Sequence, residues 1–284
     1  MRSSMTQAIL PTIGLLLFLA ASTRLAAHGD LHERIEAVTQ KILAQPSDPD
    51  LWLQRADLHR QHEEFDAALT DLEKAGQLKP HWLLVPLQLA RIHFDQGNFS
   101  RAETTATDCL KLDQSNPDAL VIRARSRVQL KKLKPAVADY DAVLNTANSA
   151  PPLPDLYLER ARAQAALEMF DDAIHGLDDG LKRLGDTPSL ALPAIEYERE
   201  RRTFEAALER LERARKFLRP ESFLATRGEI LLQAGRPAEA KDTFEAGLAS
   251  MENLSADRRA APANAAIETR LRSGLQQARL PAIP

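Results

Sequence analysis

The strongest constraint on this chain is a pattern of residue types that repeats every 34 residues. Two consecutive windows of that length, 49–82 and 83–116, carry small residues at positions 8, 20 and 27, a histidine at position 11 and a phenylalanine at position 17. The recurring residues are Ala56, His59, Phe65, Ala68, Ala75, Ala90, His93, Phe99, Ala102 and Cys109. A fixed period between about 20 and 50 residues is typical of proteins that stack one supersecondary unit. The pattern therefore predicts a repeat architecture.

Within each window the spacing predicts two helices, helix A at about positions 2–14 and helix B at about positions 18–30. Small residues at positions 8 and 20 allow the two backbones to approach closely, and larger residues at positions 17 and 24 fill the space beside them. Neither helix can bury its apolar face alone, so each hairpin must stack on the next. An aromatic content of only 5% suits stacked helices better than a β-sandwich.

This pattern resembles the tetratricopeptide repeat (TPR) family, which sets large residues near positions 4, 7, 11, 17 and 24 against small residues at 8, 20 and 27. The resemblance covers roughly residues 30–279. It implies an all-α fold, a right-handed superhelical solenoid of antiparallel helix hairpins. It also implies a non-catalytic scaffold or adaptor that binds other proteins through its concave groove.

The repeat register divides the chain into successive segments. These are a signal peptide at 1–27, an N-terminal capping helix at 28–48, TPR units at 49–82, 83–116, 117–150, 154–187, 188–220 and 221–254, and a C-terminal capping helix with a tail at 255–284. The insert 151–153 is expected to lengthen the loop before the fourth unit. The fifth unit is degenerate, because Ile195 stands at the small position 8 and Pro193 lies near the start of helix A. We expect a shorter or displaced helix A there.

The first 27 residues have the layout of a secretory signal peptide. They contain Arg2, no acidic residue and an apolar run from Ile9 to Ala21, which is shorter than the roughly 20 residues of a membrane span. We expect export to a periplasmic or secreted location, with cleavage after Ala27. Cleavage after Ser22 and an uncleaved short anchor are the alternatives.

Composition and motifs exclude several function classes. A net charge of −3 offers no general attraction to nucleic acid or anionic lipid, and the single cysteine, Cys109, allows no intramolecular disulfide. Cys109 stands at a small core position, so we interpret it as a buried apolar residue. No Gly-rich phosphate loop, GxSxG, HExxH or paired-cysteine motif is present, so we expect neither catalysis nor a cofactor.

The resemblance also implies where a partner would bind. In TPR proteins, helix A positions 2, 5, 9, 12 and 13 usually line the groove. Arginine recurs at position 9 in three consecutive windows, which would place the guanidinium groups roughly 10 Å apart. The predicted partner-binding residues are Leu87, Arg91, Phe94, Val121, Arg125, Leu158 and Arg162. Arginine suits carboxylates, so the expected ligand is an acidic-apolar peptide segment or a partner's C-terminus, with the groove becoming acidic toward Glu196 and Glu229.

Other interpretations remain open at this point. The arginines could instead be solvated or paired within their own helices, as Glu159 could pair with Arg162. A second alternative is a copper-handling accessory protein, because cleavage after Ala27 would leave His28 as the N-terminal residue, with His32 four positions on. Other histidine pairs lie at packing or turn positions. A third alternative is self-association through the fifth unit.

Overall fold

A computed structural model describes residues 30–146 and 153–280, and over these residues the chain forms helices and turns without any β-strand. The helices are α1 (30–44), α2 (Pro49–Gln61), α3 (Phe65–Leu78), α4 (Leu84–Asp95), α5 (Phe99–Leu112), α6 (Pro117–Gln129), α7 (Leu133–Thr146), α8 (Pro154–Ala165), α9 (Phe170–Leu184), α10 (Pro188–Glu200), α11 (Phe204–Ala214), α12 (Pro220–Gln233), α13 (Pro237–Glu252), α14 (Ala256–Ala260) and α15 (Pro262–Ala278). The expected all-α class is confirmed. The predicted signal peptide and most of the insert lie outside the described residues.

Local sequence explains where the helices begin. Proline occupies the first residue of α2, α6, α8, α10, α12, α13 and α15. Its missing N–H has no helical partner at that position, and its fixed φ is already helical. Polar side chains also cap the N-termini of α2 and α6. Asp48 accepts a hydrogen bond from the N–H of Asp50 at 2.9 Å, and Asn116 accepts one from the N–H of Ala119 at 3.0 Å.

The turn between helix A and helix B has the same backbone geometry in every window. Position 15 has a φ of 59° to 73° at Glu63, Gly97, Lys131, Glu168, Arg202 and Gly235. Only glycine adopts this left-handed region without steric cost, yet four of these residues carry side chains. The hairpin geometry therefore overrides the local backbone preference, and it does so at one fixed place in the 34-residue period.

The chain divides into two compact units, the first ending at Lys131 and the second beginning at Lys132. The boundary falls in the turn between α6 and α7. The repeat register alone gives no reason for a break at this turn, because Leu133 and Ala136 continue the pattern of helix B. The two units are described separately below.

In the first unit, α2 packs on α3, α4 on α5, and α6 on α5. The small residues at positions 8, 20 and 27 lie between these helices. Each is at most 1% exposed: Ala56, Ala68, Ala75, Ala90, Ala102 and Cys109. Burial raises the pKa of the Cys109 thiol to about 11. The thiolate is therefore scarce at neutral pH, which agrees with the interpretation of Cys109 as a packing residue.

Helix α1 covers the first hairpin. Ile35, Val38 and Ile42 are buried in a cluster with Leu58, while Arg34 and Lys41 on the outer face are exposed. Arg55 ties the elements together: its guanidinium donates to both carboxylate oxygens of Asp71 at 2.7 Å and to Thr39 Oγ1 at 3.0 Å. The hydrogen bonds to Asp71 raise the pKa of Arg55. The arginine at position 7 is therefore structural in this hairpin.

In the second unit, glycine allows the closest helix contact around α9. Gly180 lies against Tyr157 of α8 and Leu190 of α10, and a Cβ at this position would come within 2.9 Å of the Tyr157 ring and 2.8 Å of Leu190. Tyr157, Leu177 and Leu190 form one buried cluster at this junction. The small residue at position 27 is therefore required by the packing of three helices.

The expectation of a shortened helix A in the fifth unit is wrong. Helix α10 runs for 13 residues from Pro188 to Glu200 with Pro193 inside it. Proline at this point removes one backbone hydrogen bond, but Leu190, Ala194 and Ile195 are each at most 1% exposed. Burial of this face against α9 and α11 holds the helix together despite the proline.

The second unit ends in α14 and α15, and α15 packs on both α12 and α13. Ile267, Leu271 and Leu275, spaced four residues apart, form its buried face, within the segment 255–284 where a C-terminal capping helix was predicted. Within the described residues, no helix combines the length and apolar character needed to cross a membrane.

Candidate functional site

Helix A residues of three consecutive hairpins line a cavity of about 280 Å³ in the first unit. We call it the arginine cavity. Its lining residues are Arg60, Arg91, Phe94, Asp95, Asp118, Val121, Ile122 and Arg125. Helix α4 packs on both α2 and α6, which brings these side chains to one face. On α4 the spacing of three residues puts Arg91 and Phe94 on the same side, and on α6 the spacing of four does so for Val121 and Arg125.

Ion pairs join one hairpin to the next along this cavity. Arg60 of α2 donates to Asp95 Oδ2 of α4 at 2.5 Å and to Asp57 on its own helix at 3.1 Å. Arg91 of α4 donates to Asp118 Oδ2 of α6 at 2.8 Å. Burial by itself lowers the pKa of Arg60, but the bonds to Asp95 and Asp57 outweigh it and raise that pKa. The Arg60 guanidinium therefore remains charged at every physiological pH.

Apolar side chains form the rest of the wall. Phe94, Val121 and Ile122 are half-buried, and Phe94 packs edge-on against Phe99 with ring centroids 5.4 Å apart. Leu87, predicted as part of the groove, is only 4% exposed and does not line the cavity.

The cavity brings together four of the seven predicted groove residues, namely Arg91, Phe94, Val121 and Arg125. Leu158 and Arg162 belong to α8 of the second unit, where Leu158 is half-buried and Arg162 is exposed. Burial raises the pKa of the Tyr197 phenol, and the positive charge of nearby Arg162 partly opposes that rise. A strip of three arginines stays a prediction.

Sequence reasoning missed four of the residues that line the cavity, namely Arg60, Asp95, Asp118 and Ile122. A signal was available for three of them. Arg60 stands at position 12, Asp95 at position 13 and Asp118 at position 2, which are groove positions in the resembling family. Ile122 stands at position 6 and had no such signal.

A second cavity of about 350 Å³ lies in the second unit between α10, α12 and α15. Arg270 donates to both oxygens of Glu229 at 2.8 and 2.9 Å, and Arg199 donates to both oxygens of Glu196 at 2.8 and 3.0 Å. The expectation of an acidic groove near Glu196 and Glu229 is therefore wrong here, because each carboxylate is neutralised by an arginine. Arg270 comes from the terminal helix, which lies outside the repeat register.

The histidines do not form a metal site in the described part of the chain. His59 and His62 both direct Nδ1 at Glu64, at 2.6 and 2.9 Å. No group of three or more His, Cys, Asp or Glu side chains within 30–146 and 153–280 is arranged to hold a metal ion. His32 is exposed on α1. His28, on which the copper alternative depends, lies outside these residues.

Comparison with known proteins agrees with this geometry. Residues 87–151 match the family model described as tetratricopeptide repeat. A TPR protein from Parabacteroides merdae ATCC 43184 is similar in structure, with a TM-score of 0.52, 14% identity, and coverage of 92% of this chain and 97% of that chain. No curated protein sequence matches the chain.

Two further solved structures share the fold. YrrB, described as a TPR protein with an unusual peptide-binding site, has a TM-score of 0.52 at 18% identity and covers 63% of this chain and 91% of its own. The structure of Naa15/Naa10 bound to HypK-THB gives 0.53 at 19% identity, covering 93% of this chain and 39% of that chain. Identities this low establish the fold alone.

The stacked hairpins and these neighbours define an α-solenoid of two-helix repeats. Residues 87–151 match the tetratricopeptide repeat model, and the same turn geometry in each of the six windows shows that the tetratricopeptide repeat fold extends beyond that match.

Proposed function

We propose that this protein is a non-catalytic scaffold or adaptor that binds a protein partner through the arginine cavity and the helix A face around it. One observation carries the proposal: three arginines and two aspartates line a cavity whose remaining wall is apolar. Such a lining favours a ligand that presents carboxylates beside apolar side chains. YrrB, whose printed description includes a peptide-binding site, supports peptide binding by this fold.

The mechanism of binding is presentation of a preformed surface. The inter-hairpin pair Arg60–Asp95 holds the walls from α2 and α4 in place before a partner arrives. A partner segment therefore binds without ordering the receptor, which lowers the entropic cost of association. Arg125 and Phe94 supply the charged and aromatic contacts that usually contribute most to interface energy.

The direct test replaces Arg91, Arg125 and Arg162 together with serine. Each charge-assisted bond to a carboxylate contributes about 1.5–3 kcal/mol, so we expect recovery of the partner to fall more than tenfold. The measurement is a crosslinked pull-down from the native cell envelope, followed by identification and titration of the captured protein. The melting temperature should change little, because Arg162 is exposed and Arg91 is only half-buried.

A matched control replaces three exposed cations outside the cavity, Arg34, Arg101 and Arg213, with serine. This variant loses the same net charge, so a general electrostatic effect would weaken binding in both proteins. Full partner recovery by the variant with serine at 91, 125 and 162 would contradict the proposal. Equal losses of stability and binding would show that the three arginines support the fold and do not contact a ligand.

We further propose that the protein acts outside the cytoplasm, as the signal peptide predicted at 1–27 would require. Intact mass and N-terminal sequencing of protein from an envelope fraction are expected to give a chain that begins at His28. A chain that retains Met1 and fractionates with the cytoplasm would contradict export, without affecting the proposed binding at the arginine cavity.

A further inference from the structure

The Arg91–Asp118 pair differs from the other ion pair of the arginine cavity. Its contact joins one guanidinium nitrogen to one carboxylate oxygen, and the side chains are 33% and 60% exposed. Arg60, in contrast, is 21% exposed and is held by two carboxylates. Exposed ion pairs with a single contact contribute little to stability. Asp118 is therefore the carboxylate of this cavity that another anion can displace most easily.

We propose that Asp118 is an internal competitor that occupies the position of the partner's carboxylate. The ligand group is an aspartate or glutamate side chain within an extended partner segment, with an apolar side chain beside it for Phe94 and Val121. A single aspartate oxygen already reaches Arg91 at 2.8 Å, so a side-chain carboxylate fits. A partner carboxylate that engages both guanidinium nitrogens would form the stronger, two-point contact. This inference rests on the proposed function.

Displacement does not leave Asp118 without compensation. Asp118 is the second residue of α6 and lies in its first turn. Negative charge is favourable at a helix N-terminus because the first N–H groups carry partial positive charge. After it separates from Arg91, the Asp118 carboxylate therefore remains solvated and keeps its favourable interaction with the helix N-terminus. The competition makes the site selective, because a ligand gains binding energy from Arg91 only if it binds this arginine more strongly than Asp118 does.

The test compares wild-type protein with Asp118→Asn, which keeps the shape of the side chain and removes its charge. The probe is a fluorescent, C-terminally amidated ten-residue peptide in which glutamate alternates with leucine, and a peptide with glutamine in place of glutamate is its neutral match. We expect Asp118→Asn to bind the acidic peptide about fivefold more tightly, the equivalent of one exposed ion pair, with no gain for the neutral peptide.

Asp155→Asn is the matched control, because Asp155 also follows a proline at a helix start but belongs to the second unit and does not line the cavity. Its affinity should equal that of wild-type protein. Binding that is lost in Arg91→Ser but unchanged or weaker in Asp118→Asn would overturn the competitor role and leave the proposed function standing. Absence of acidic-peptide binding in every variant would overturn both.

Discussion

Replacing Arg210 with methionine is expected to lower the free energy of unfolding by about 3–5 kcal/mol, the cost of leaving a buried charge without its partner. Arg210 is 6% exposed and Glu198 is 4% exposed. Arg210 donates to Glu198 Oε1 at 2.9 and 2.7 Å, and its third nitrogen reaches Asp178 at 2.6 Å. Burial lowers the pKa of Arg210, but the bonds to both carboxylates outweigh it and raise the pKa.

The measurement is urea denaturation followed by far-UV circular dichroism. Lys182→Met is the control, because its pair with Asp179 is exposed and should contribute less than about 1 kcal/mol. The double variant Arg210→Met with Glu198→Met should recover most of the loss, since it removes both buried charges together. A loss below about 1 kcal/mol in Arg210→Met would show that Glu198 gains solvent when its partner is absent.

The contacts of Arg210 also show which part of the fold could be predicted from the sequence. Position 23 carries Asp71 in the first window and Arg210 in the fifth, while position 7 carries Arg55 in the first and Ala194 in the fifth. The pairing of helix A with helix B is kept in the fifth unit with the charges exchanged, because Glu198 of α10 supplies the carboxylate. The fifth unit was predicted to be degenerate because the 34-residue pattern specifies the sizes of side chains more than their charges.

The small positions were the predictable part of the fold. Ala68 and Ala102 are fully buried where the 34-residue register placed them. These features depend on local spacing and on steric limits that act within one hairpin. Helix α10 was mispredicted because the local effect of Pro193 was given more weight than burial against two neighbouring helices.

The partners of the arginine-cavity residues were not predictable in the same way. Arg60 and Asp95 are 35 residues apart in sequence, and Arg91 and Asp118 are 27 apart. Their contacts depend on the rotation of one hairpin against the next, which the repeat period does not specify. The same limit applies to the supposed acidic end of the groove, because Arg270 reaches Glu229 from a helix outside the repeat register.

Replacing Phe244 with alanine is expected to lower the free energy of unfolding by about 3–5 kcal/mol, comparable with the loss for Arg210. Phe244 of α13 is fully buried, together with Leu231 of α12 and Leu271 of α15. Its ring lies against Gly228 on one side and Gly274 on the other, so closely that a Cβ at either glycine would overlap it. Truncation would therefore leave a cavity between three helices that cannot easily close.

The same geometry predicts coupling between Phe244 and Gly274. In wild-type protein, Gly274→Ala should cost about 1–3 kcal/mol because the new methyl group overlaps the ring. In a Phe244→Leu background the overlap is smaller, so the two losses should fall short of additivity by at least about 0.5 kcal/mol. Phe217→Ala is the control, because Phe217 is 42% exposed and should change stability by only about 0.5 kcal/mol.

The position of these residues also determines where the damage spreads. Each repeat in a solenoid contacts mainly its neighbours, so a defect at the last hairpin should loosen that end first. Amide hydrogen exchange in Phe244→Ala is expected to accelerate in α12, α13 and α15 and to remain near wild-type rates in α8 and α9. Uniform acceleration throughout the second unit would contradict this and would show that its hairpins unfold as one cooperative block.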